Sequence, residues 1–136
     1  MVTRKTTAVG FISILITAWL VVFAIQVEAQ TTEEQKQALI GEWTGVWMGY
    51  HQNTSTLIIH EIDTQKGKAR CTSIVLGETV PVLADFTPGP KPKLEFKLGQ
   101  ATYRFVLSKG VLSASVKGIL NGTYVSNSTI MKKKPK

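Results

Sequence analysis

Gly41-Glu42-Trp43-Thr44-Gly45-Val46-Trp47-Met48-Gly49-Tyr50 is the stretch on which the fold turns. Trp43, Gly45, Trp47 and Gly49 fall on one face at the two-residue period of a strand. Two large rings alternating with two glycines describe tight, curved packing, because a glycine lets a neighbouring backbone come close. A strand of this kind needs partners, and everything C-terminal to it supplies them.

Downstream, short segments rich in β-branched and aromatic residues recur about every ten residues, separated by turn residues. Thr56–Ile62 follows a polar turn at His51–Ser55. Lys68–Leu76 sets Lys68, Arg70 and Thr72 against Ala69, Cys71 and Ser73. Thr79–Phe86 contains Pro81, which marks an edge or irregular strand. Leu94–Leu98 and Thr102–Leu107 flank Gly99-Gln100-Ala101. Lys109-Gly110 turns into Val111–Leu120, and Asn121-Gly122, a hairpin signal, leads into Thr123–Lys133. Thr87–Lys93 (TPGPKPK) reads as a stiff, basic, exposed loop of polyproline character. About eight strands with no connection long enough for a crossover helix predict an all-β, antiparallel up-and-down barrel, in which closure removes both edges.

Upstream, residues 30–40 (QTTEEQKQALI) are the one helix-like stretch, with capping-box spacing at Thr31/Glu34 and Thr32/Gln35. Before it, Arg4 and Lys5 precede 18 uncharged residues, Ala8–Ile25, and Val27-Glu28-Ala29. This is the layout of a secretory signal peptide, 1–29, with cleavage between Ala29 and Gln30. The alternative is an uncleaved N-terminal membrane anchor, since 18 apolar residues is at the lower end of a span. The expected organisation is a helical lead-in at 30–40, a barrel domain at 41–134 and a basic tail end at 135–136, in a periplasmic or secreted protein with no membrane attachment after cleavage.

Cleavage leaves 107 of the 136 residues, one modest core, with 14 Lys and Arg against 8 Asp and Glu, a net charge of +6. Four of the positive charges belong to Lys132, Lys133, Lys134 and Lys136, so the body is nearly balanced. No nucleic-acid motif accompanies the tail, and no nucleic-acid partner is expected. Cys71 is the one cysteine, so no internal disulfide forms and packing must hold the domain. Its place in the alternation makes it a small, inward, inert residue.

The opening Gly41-Glu42-Trp43, after a short helical lead-in, resembles the start of lipocalin and calycin barrels. In those barrels the Trp plugs the closed end and a basic side chain near the last strand covers it. The resemblance assigns Trp43 the first role and Lys132, or a neighbouring lysine, the second. The usual partner is Arg, and none follows Arg104. The Thr-Asp-Tyr motif of lipocalins is absent, and 107 residues is short for that family. The run Gly41 to Trp47, His60 to Asp63, Tyr103 to Leu107 and Asn121 to Tyr124 is similar, in that order, to small exported bacterial β-barrel domains that occur alone or appended to hydrolases. That resemblance implies a fold and no activity.

Catalysis lacks a foundation in the sequence. His51 and His60 are the two histidines, and strand periodicity puts His60 and Glu61 on opposite faces, with Asp63 also opposed to His60 unless a bulge intervenes. No metal or cofactor is expected, no Gly-x-Ser-x-Gly elbow exists, and the chain is read as a non-enzyme. Binding is the better class. With Trp43 at the floor, Trp47, Tyr50 and His51 fall near the mouth, with Tyr103 and Tyr124 as further candidates for a small apolar or sugar-like ligand. The alternative is a protein-binding module or inhibitor acting on an envelope or extracellular partner through the TPGPKPK loop. A monomer is expected. Asn53, Asn121 and Asn127 each begin a glycosylation sequon, which in β-rich polar sequence arises readily by chance.

Overall fold

A computed structural model of the chain describes residues 32–47, 53–75 and 77–136. The chain divides into two units, Met1–Glu34 and Gln35–Lys136, and of the first only residues 32–34 are described. The signal-peptide reading of 1–29 lies outside the described residues. Among those described, no helix is long and apolar enough to cross a membrane.

A helix, α1, covers residues 32–39. Eight strands follow: β1 Gly41–Trp47, β2 Asn53–Asp63, β3 Lys68–Val75, β4 Glu78–Thr87, β5 Lys93–Leu98, β6 Gln100–Ser108, β7 Val111–Leu120 and β8 Thr123–Lys133. Each pairs antiparallel with the next, and β1 pairs with β8, so the sheet closes into a barrel.

The two-residue period is visible in every wall. Trp43, Gly45 and Trp47 are buried in β1, as are Ala69, Cys71 and Ser73 in β3, Val82, Ala84 and Phe86 in β4, and Ala101, Tyr103 and Phe105 in β6. Their neighbours carry the charges outward, where cross-strand pairs reinforce the register: Lys68 with Asp85, Arg104 with Glu95 at 2.9 Å and Arg70 with Glu61 at 3.7 Å. Each such exposed pair contributes about 0.2–1 kcal/mol. They select a register that burial of the opposite face already enforces.

Closure depends on Gly45. A Cβ there would fall 2.9 Å from both Ile130 O and Met131 Cγ, so β8 fits against β1 only over a residue without a side chain. The β6–β7 and β7–β8 turns have positive φ at their two central residues, Lys109 (53°) and Gly110 (77°), Asn121 (50°) and Gly122 (79°). That is the backbone a type I′ turn needs, and the sequence of the second is the most favoured one.

Two expectations change, for residues 53–55 and for His60, while Pro81 sits at a local edge as expected. Strand β2 begins at Asn53, so Asn53–Ser55 pair with Gly45–Trp47 rather than form a turn, and Ser55 is buried. His60 and Glu61 do not point to opposite faces. A bulge between Ile59 and Glu61 leaves both exposed and brings Ile62 back to the interior. Pro81 lies in a strand with a partner on each side, although β4 pairs with β5 only at Asp85–Thr87. That ladder stops short of Pro81, which has no N–H to give. Toward the Glu78 end β4 therefore has β3 alone as a ladder partner.

Candidate functional site

The two ends of the barrel are built differently, and the difference begins with the last turn of α1. A helix leaves its last four carbonyls without partners inside it. Here all four find one. Ile40 N donates to Lys36 O at 3.1 Å. Lys133 Nζ donates to Gln37 O at 3.4 Å and Ala38 O at 3.1 Å. Trp43 Nε1 donates to Leu39 O at 2.8 Å. The Lys133 ammonium also sits 5.8 Å from the centre of the Trp43 ring, within cation–π range. Leu39 and Trp43 are fully buried at this end. Burial beneath the helix, followed by the nearby charge of Lys136, holds the Lys133 ammonium below the usual lysine range.

Trp43 thus occupies the plug position, and the covering cation is Lys133, not Lys132. Register decides between them. Lys133 stands opposite Trp43 and faces inward with it, whereas Lys132 stands opposite Thr44 on the outside and is exposed. The neighbouring Lys134 joins the same seam, donating its backbone N–H to Glu42 O at 2.8 Å.

The loop 88–92 also belongs to this closed end. Gln35 Nε2 donates to Gly89 O at 2.6 Å and Gly89 N donates to Gln35 Oε1 at 3.4 Å, the two-bond pattern a strand neighbour would make. Pro92 is buried and its carbonyl accepts from Leu107 N at 2.9 Å. The TPGPKPK segment is therefore tied down at two points, in place of the free docking loop its composition describes. The Gln35 side chain is engaged here, on the backbone of Gly89.

Above the plug lies a buried apolar core. Phe96 stacks on Phe105, with ring centres 5.6 Å apart, and on Tyr103, with centres 5.2 Å apart. Tyr103 belongs both to this stack and to the cavity wall. Beyond it a cavity of about 430 Å³ opens at the end opposite Trp43, within the size range of small-molecule pockets. Its wall is formed by Ser73 and Val75 from β3, Glu78 and Val80 from β4, Leu98 from β5, Tyr103 from β6, and Leu120 with Asn121 at the β7–β8 turn. The lining is mostly apolar, with the hydroxyls of Ser73 and Tyr103, the Glu78 carboxylate and the Asn121 amide as polar points. Burial pushes the Tyr103 phenol above its ordinary pKa, so it remains a hydrogen-bond donor throughout the physiological range.

Of the residues expected at the mouth, Tyr103 lines the cavity. Trp47 faces inward and is buried in the core, at 7% exposure, without forming the cavity wall. Tyr124 does not face the interior: it stands on the outer surface at 70% exposure, opposite Ile119, while Val125 takes the inward position. Tyr50 and His51 lie outside the described residues. Ser73, Val75, Glu78, Val80, Leu98, Leu120 and Asn121 are wall residues that a search for aromatics passes over. Their signal is positional: strand ends on the inward phase, at the end away from Trp43.

Cys71, His60 and Asp63, the described residues with candidate chemistry, are engaged away from the cavity wall. Cys71 is buried, its thiol pushed up to about 12 by desolvation that the Arg70 charge only partly offsets. His60 Nε2 is 2.7 Å from Thr72 Oγ1 on the outer face. Asp63 accepts from Gln65 N and Lys66 N within its own turn, each at 3.0 Å. Among the described residues, no three His, Cys, Asp or Glu side chains gather closely enough to hold a metal ion. Comparison with protein-family models, with curated proteins and with solved structures finds no match to this chain.

Proposed function

We propose that this chain is an exported, non-catalytic barrel of calycin-like architecture that binds one small, mostly apolar molecule at its mouth. The observation that carries the reading is the asymmetry of the interior. One end is sealed by Trp43, Lys133 and α1, and the other opens into a cavity of about 430 Å³ with an apolar wall and a few polar points. The wall supplies orientation through Ser73, Tyr103 and Asn121 rather than an acid–base pair, which favours binding over reaction. The calycin-like kinship rests on the Trp43–Lys133 plug and the eight-strand closure; the exported location rests on the signal-like residues 1–29.

Native mass spectrometry of the protein purified from its own source tests the proposal. The expected result is a population carrying one additional mass of small-molecule size, released on denaturation. Protein of bare chain mass, together with no uptake of added apolar compounds, would refute it. Effort would then pass to a protein partner, for which the exposed cross-strand pair Ile119 and Tyr124 is a starting surface.

A further inference from the structure

The head group of that ligand can be inferred from which charges on the barrel are already satisfied. Residues 41–136 contain six carboxylates: Glu42, Glu61, Asp63, Glu78, Asp85 and Glu95. Four form ion pairs, Glu42 with Lys134, Glu61 with Arg70, Asp85 with Lys68 and Glu95 with Arg104. Asp63 is occupied by the backbone of its own turn. Glu78 alone has no ion pair or hydrogen bond to its carboxylate among the described residues, in a chain where basic residues outnumber acidic ones.

Its location gives that isolation a use. Glu78 opens β4 directly after Gly77 and shares the inward phase of Val80 and Val82. Among the described residues it is the one charged side chain on the cavity wall; the other described wall residues are aliphatic side chains, Ser73, Tyr103 and Asn121. An anionic amphiphile in this cavity would set like charges together, and a neutral one would leave the carboxylate to water. A molecule with an apolar body and a positive head satisfies both parts of the wall.

We propose that the mouth cavity takes a small organic ammonium, its body against Val75, Val80, Leu98 and Leu120 and its charged nitrogen at Glu78. The inference rests on the cavity being a ligand site. Because Glu78 is exposed at a rim, the preference belongs to the upper range of exposed ion pairs, about fivefold in affinity, and weakens with added salt.

The test is isothermal titration of protein purified from cells expressing the full-length chain, with n-octylammonium, n-octanol and n-octanoate as probes that share one body. The expected order is octylammonium tighter than octanol by about fivefold, and octanoate weaker than octanol. In Glu78→Gln, octylammonium should fall to the affinity of octanol while octanol itself is unchanged. Circular dichroism checks that this exposed substitution leaves the barrel intact. Equal binding of octylammonium and octanol to the wild type, or a preference that survives Glu78→Gln, overturns the ammonium proposal and leaves the cavity reading standing. If none of the three binds, the cavity reading itself fails and the proposal falls with it.

Discussion

At the scale of single residues, three positions carry consequences that chemistry alone decides. Lys133 satisfies two helix carbonyls and covers an indole, while Lys132 beside it touches neither. Lys133→Ala should therefore cost about 1–2 kcal/mol, the range of one or two lost charge-assisted hydrogen bonds, and Lys132→Ala less than about 0.5 kcal/mol, as for an ordinary surface change. Urea unfolding midpoints at constant slope check the pair. Gly118 is a second such position. Its φ is 137°, and a Cβ there would fall 2.1 Å from Gln100 O, so Gly118→Ala combines a backbone strain with a collision. The expected loss is about 3 kcal/mol, against about 1 kcal/mol for Gly122→Ala, where φ is 79° and the space is empty. Cys71 gives a pH dependence. An unfolded thiol ionises near about 8.5, whereas the folded one is held protonated up to about 12. The unfolded state therefore binds fewer protons across that window, and stability falls as pH rises through it. By pH 10 the loss is about 2 kcal/mol, and it should be absent in Cys71→Ala. Tyr103, whose pKa is also raised, adds to the same alkaline decline at higher pH. Thermal unfolding of both proteins from pH 7 to 10 measures the difference.

Among the elements, α1 is too short to persist in isolation and exists through what it touches. Leu39 is fully buried and the last turn is capped from the barrel. Leu39→Ala should cost about 2–4 kcal/mol and shift tryptophan emission to the red as water reaches Trp43, a change that steady-state fluorescence reads directly. The elements also differ in how far the sequence reveals them. Strands with strict alternation, such as Lys68–Val75, and hairpins closed by Lys109-Gly110 and Asn121-Gly122 are legible because period and turn chemistry are local properties. The floor of the site is legible too, since Trp43 follows a glycine after a helical lead-in. The bulge at His60 is not, because an extra residue in one strand is defined by its partner and not by its own sequence. Nor is the tethering of 88–92, which depends on Gln35 lying 54 positions away from Gly89. Tyr124 illustrates the limit of reading by residue type. An aromatic ring suggests a pocket wall, but phase along β8 places it outside, and aliphatic and small polar side chains such as Val80 and Ser73 form the wall instead.

At the largest scale, the barrel of residues 41–133 has a plugged end at Trp43 and a cavity at the other. Closure of β1 on β8 over Gly45 completes the barrel, the Phe96, Phe105 and Tyr103 rings stack in its interior, and the ladder between β4 and β5 ends before Pro81. We propose this upper space as a binding site and not a packing defect. Titration with an apolar dye whose fluorescence depends on its surroundings, on the wild type and on Val80→Trp, tests it most directly. Val80→Trp adds a large ring to the cavity wall at a partly buried position, and its unfolding midpoint shows whether the barrel survives. A binding site requires saturable one-to-one dye binding to the wild type and its loss in a folded Val80→Trp. Undiminished binding in the folded variant, or no saturable binding to the wild type, would contradict it.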